Sequence, residues 1–86
     1  MTYVTKYVPI KIRTDGSKEE GMEFSDIDLA EHYLLTMVQE GEPFKSIYID
    51  EYKNEDILNP AFKLGGVPQK FLVKIHYYYI NSIKHI

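Results

Sequence analysis

Between Ser25 and Gly41 the sequence marks out one helix with both of its ends, and the rest of the chain has to be arranged around it. Ile27, Ala30, Tyr33, Leu34, Met37 and Val38 recur at three- and four-residue spacing, while Asp28, Glu31 and His32 fall largely on the opposite side, the pattern of a helix with one apolar stripe. Ser25 is placed to cap it, with Asp28 three residues on as in a capping box, and Asp26 suits the positive end of the helix dipole. Gly41 suits a left-handed C-terminal position and Pro43 forbids continuation. The spacing predicts a helix over residues 26–40 whose Ile27, Ala30, Leu34, Met37 and Val38 face the rest of the domain.

The flanking segments alternate with a period of two, as strands do. Val4, Val8, Ile10 and Ile12 share one parity, and Tyr3, Thr5, Tyr7, Lys11 and Arg13 share the other; Pro9, which has no N–H, suggests a sheet edge or a bulge. Thr14-Asp15-Gly16-Ser17 is turn chemistry, and Lys18 to Gly21 reads as the end of a loop leading to a short returning strand at Met22-Glu23-Phe24. Phe44 to Tyr52 reads as a strand with either face open to the core. Lys70 to Ile80 reads as another, Phe71, Val73, Ile75, Tyr77 and Tyr79 on one face against Leu72, Lys74, His76, Tyr78 and Ile80. Ile57 to Phe62 has room for one helical turn, and Gly65-Gly66-Val67-Pro68 breaks the chain.

These elements predict a single small α+β domain over residues 1–86, a three- or four-stranded, mainly antiparallel sheet with the one helix on one face. At 86 residues the chain buries only about 60% of its unfolded surface, so a second copy or a partner has stability to add and a homodimer is expected. No export signal precedes the first strand and no apolar run approaches a membrane span, which points to a cytoplasmic protein. The absence of cysteine fits that compartment and removes disulfides, thiolate metal sites and cysteine nucleophiles.

Charge is the least ordinary property. All 13 acids lie between Asp15 and Asp56, giving residues 14–56 a charge of −10, while residues 1–13 carry +3 and residues 57–86 carry +4. A solvated helix with its loops accounts for this without a partner. Gathered on one surface, the same carboxylates would attract a basic protein groove and repel duplex nucleic acid. Glu19, Glu20, Glu23, Asp28, Glu31, Asp50, Glu51, Glu55 and Asp56 are the candidates for that surface. Tyr3 and Tyr7 share a parity on the first strand, as do His76 and Tyr78 on the last, which makes Tyr3, Tyr7 and Tyr78 candidates for an aromatic contact on the sheet face the helix leaves uncovered.

Catalytic patterns are thin. Asp50-Glu51-Tyr52-Lys53 has the D-E-x-K order of a nuclease metal core, but no upstream acid can be placed beside it by spacing. His32, His76 and His85 show no ligand pairing, so neither a metal nor a cofactor is expected. Gly65, Gly66 and Lys70 lack phosphate-loop spacing. The expectation is a non-catalytic interaction module engaging another protein with a basic surface through its acidic middle, as an inhibitor or nucleic-acid mimic would. Nine lysines to one arginine fit an AT-rich genome, hence a phage or other mobile element. The alternative is a small nucleic-acid-associated or regulatory domain using the basic strands and the tyrosines.

Overall fold

Asp15 and Gly16 make the first fold decision, since they reverse the chain within four residues. Gly16 adopts φ +89°, a region that a side chain disfavours, and the Asp15 carboxylate accepts the Ser17 N–H at 2.8 Å. In the computed structural model, which describes residues 3–38, 42–55 and 70–79, this turn joins β1 (Tyr3–Ile12) to β2 (Lys18–Glu20). The helix α1 (Ile27–Met37) follows, then β3 (Ser46–Glu55) and β4 (Lys70–Tyr78). The strands form one antiparallel sheet in the order β2-β1-β3-β4, a small α+β domain as the sequence predicts. The helical turn expected at Ile57 to Phe62 and the Gly65–Pro68 break lie outside the described residues.

The return strand begins at Lys18, four residues earlier than expected, and Phe24 makes only an isolated bridge to Tyr7. Pro9 explains both points. The Tyr7 N–H donates to the Phe24 carbonyl, and the Pro9 carbonyl accepts from the Gly21 N–H, so the missing proline donor faces the gap where β2 has ended. β1 is therefore an interior strand and not the edge that Pro9 suggested, while the bulge it also suggested falls on the facing chain, where Gly21 to Glu23 lie opposite Val8 and Pro9. Gly21 closes that gap because a Cβ there would lie 2.7 Å from both Pro9 Cγ and Tyr33 Cε1.

The helix starts one residue later than the cap reading implied. Asp26, not Ser25, is the N-cap and accepts the Asp28 N–H at 2.8 Å, while the Ser25 hydroxyl accepts from Lys6. Its far end comes at Met37, three residues short of the expected end, with Gly41 outside the described residues. There Lys11, only 1% exposed, reaches from β1 to donate to the Met37 carbonyl at 2.9 Å and pairs with Glu42. An ammonium at this end opposes the helix dipole and satisfies a carbonyl that has no partner within the helix.

Lys11 also identifies which face of the sheet the helix covers. Ala30, Leu34 and Met37 pack on Ile47 and Ile49, with Ile27 and Val38 beside them, so the predicted apolar stripe is the one used. Cross-strand register places Pro9, Ile49 and His76 on that side, with Lys11, Ile47 and Tyr78 in the next row. Tyr3, Tyr7 and Tyr78 are thus on the helix side, whereas the sequence placed them on the uncovered face. The far side takes Val8, Asp50 and Ile75, then Ile10, Tyr48 and Tyr77. Val8 and Ile10 are buried too, as befits an interior strand.

On β4 the simple parity fails. Glu51 pairs with Lys74 but Tyr52 pairs with Leu72, leaving Val73 as an extra residue. Leu72 consequently joins Ile75 and Tyr77 on the far side, and Phe71 crosses to the helix side, where its ring lies 5.9 Å from that of Tyr3.

Leu34 is fully buried at the centre of the helix contact. Leu34→Ala should destabilise the domain by about 2 to 5 kcal/mol in chemical denaturation. An unchanged midpoint would contradict the packing described.

Candidate interaction surface

The helix keeps its acids and has no lysine or arginine of its own to offset them. α1 carries Asp28 and Glu31 and no lysine or arginine, and its cap adds Asp26. Glu31 accepts the Tyr78 hydroxyl; burial, that hydrogen bond and the charges of Glu31 and Asp28 together hold the Tyr78 pKa well above its ordinary value. Tyr7 lies farther along the same side, its pKa raised by burial and by Glu51 and Asp26. Glu51 in turn holds His76, with Oε1 and Nε2 2.8 Å apart, and the His76 ring stands 6.4 Å from that of Tyr7. Asp28, Glu31, Glu51, Tyr7 and Tyr78 are thus brought to one side, joined by Asp26, which spacing had read only as a helix-start charge. Tyr3 lies on this side too, at the far end of β1.

The remaining candidates are mostly matched by the chain's own cations, Glu19 among them although it shares the helix side with Lys11. Glu19 pairs with Arg13 at 2.8 Å, Glu20 with Lys18 at 3.3 Å and Glu23 with Lys70 at 3.5 Å. Glu55 closes β3, and Asp56 lies outside the described residues. Asp50 sits on the far side, because adjacent strand residues point in opposite directions. For the same reason the D-E-x-K stretch cannot direct Asp50 and Glu51 at a common ion, and Lys53 accompanies Glu51. Among the described residues no three histidine, aspartate or glutamate side chains group as metal ligands. No helix among them is long and apolar enough to cross a membrane.

The far side gathers aromatic residues that the sequence reading passed over. The Tyr48 and Tyr77 rings are 5.5 Å apart, and the Lys70 ammonium lies 4.2 Å from the centre of the Tyr52 ring. Between them Asp50 is 5% exposed; its Oδ2 accepts from the Tyr52 hydroxyl at 3.3 Å, and its Oδ1 has no hydrogen-bond partner. Burial drives the Asp50 pKa up, more than the Tyr52 hydroxyl and Lys18 lower it. The same burial, with the Asp50 charge second, raises the pKa values of Tyr48 and Tyr52. The alternation Tyr48, Asp50, Tyr52 was visible in the sequence as one face; choosing Ile47 and Ile49 as the core face would have exposed this grouping.

A carboxyl whose pKa is higher folded than unfolded binds more protons in the native state. Its contribution to stability therefore falls as pH rises from about 4, the unfolded carboxylate value, through the folded value. Asp50→Asn should remove that decline and make the variant more stable than the parent at neutral pH. Denaturation curves at a series of pH values that show the same slope for both proteins would contradict this.

Against this geometry, comparison with known proteins finds no matching family, no matching curated protein and no matching solved structure.

Proposed function

We propose that this chain is a non-catalytic protein-interaction module that docks on a basic protein surface through its helix layer, with Asp26, Asp28 and Glu31 as the charges presented. The observation that carries the reading is the absence of any lysine or arginine on α1 beside those acids. Unmatched charge of one sign steers an oppositely charged partner, whereas acids already paired with Arg13, Lys18 and Lys70 add little. A groove built for nucleic acid is the kind of basic surface such a helix fits, and an inhibitor encoded by a phage or other mobile element, acting in the cytoplasm, fits the small size and lysine-rich usage.

A second reading, a nucleic-acid-associated domain, draws on the far side. There Tyr48, Tyr52 and Tyr77 stand among Lys6, Lys18 and Lys70, the combination of aromatic rings and cations that single strands stack on. Glu20, Glu23 and Asp50 on or beside that face offset its charge, which favours the first reading.

Affinity capture from the producing host, followed by kinetics with the purified partner, tests both. Asp28→Lys should lower the association rate several-fold at low salt. The difference should shrink as salt rises, because exposed charges are screened over about 8 Å at physiological ionic strength. Glu20→Lys, on the other face, should change little. Equal effects of the two reversals, or tight binding of the unmodified chain to a labelled single-stranded oligonucleotide, would overturn the first reading.

A further inference from the structure

The two edges of the sheet are unlike. β2 ends it on one side with Lys18, Glu19 and Glu20, a strand too short and too charged to recruit another chain. β4 ends it on the other with nine residues, of which Phe71, Leu72, Val73, Ile75 and Tyr77 are 37 to 69% exposed. Among the described residues no strand lies beyond it.

The ladder shows which of its backbone groups point outward. Tyr7 and Pro9 direct their backbone groups toward β2, and bonded and non-bonded pairs alternate in an antiparallel ladder. Glu51 and Ile49 therefore bond across to Lys74 and His76, which leaves the N–H and C=O of Ile75 and Tyr77 directed away from β3.

We propose that β4 pairs with β4 of a second copy, antiparallel about a two-fold axis at His76, to make one continuous eight-stranded sheet. In this register Ile75 meets the partner's Tyr77 as a hydrogen-bonded pair, and Lys74 meets the partner's Tyr78. Centring the axis on Lys74 would oppose two ammonium groups, whereas the His76 register avoids this and opposes two histidines that are each held by their own Glu51. Among the described residues the pairing runs from Val73 to Tyr79 of each copy, a contact below the size of a standard specific interface, so the dimer forms in a concentration-dependent way. Two-fold pairing closes the assembly.

Sedimentation of the full chain over a roughly hundredfold concentration range tests this. The unmodified protein should approach twice the monomer mass. Tyr77→Pro, which deletes an outward N–H and no bond to β3, should remain monomeric with unchanged circular dichroism, while Tyr77→Ala, which keeps that N–H, should still associate. Ile75→Lys is the second variant and should also be monomeric, which keeps the test decisive if Tyr77→Pro does not fold. A parent that stays monomeric throughout, or a dimer that survives both Tyr77→Pro and Ile75→Lys, would overturn the proposal.

Discussion

One buried ammonium organises this domain. Lys11 sits on an interior strand, under the end of the helix, with its charge shared between the Met37 carbonyl and Glu42. Burying an amine requires compensation close at hand, and here the helix terminus supplies half of it. That requirement ties the end of α1 to the second half of β1 and to the chain that leads into β3. It also decides which side of β1 the helix covers, and from that choice the position of every tyrosine follows.

Because Lys11 turns toward the helix, Pro9 and Tyr7 turn with it, and the Val8–Ile10 parity faces the other way. The sheet is left with two differently furnished sides. One carries acids that surround tyrosine hydroxyls and a histidine, beneath and beside a helix with no lysine or arginine. The other carries tyrosine rings, lysine stems and a buried carboxyl with one unsatisfied oxygen. An unsatisfied buried oxygen costs about 1 to 3 kcal/mol, so Asp50 is a position where stability has been given up.

Much of this was legible from residue order. The apolar stripe of the helix, the Asp15-Gly16 turn, the three long strands and the antiparallel α+β arrangement are set by local periodicity and turn chemistry, and they stand in the structure. What sequence could not supply was the side of β1 that becomes core, since Val4, Val8, Ile10 and Ile12 make the more apolar face and a lysine marks the other. Hydropathy has no means of anticipating a lysine neutralised by a helix end. Nor does alternation predict Val73, an ordinary strand residue whose extra place in β4 only the pairing with β3 reveals. The acidic surface was legible only in part: net charge by segment says nothing of which acids the chain's own lysines and arginine will match.

Pro9, Gly21 and Tyr33 meet at one point, where a Cβ on the glycine would lie 2.7 Å from atoms of both rings. Each is twelve residues from the next in the chain, and they come from β1, the β2 exit and the helix. A side chain in place of this glycine would require the Pro9 and Tyr33 rings, on two other elements, to shift. The triplet is accordingly the part of the sequence that drift should erase last, and a proline, glycine and tyrosine at that spacing offer a fingerprint by which relatives too diverged to align elsewhere can still be found.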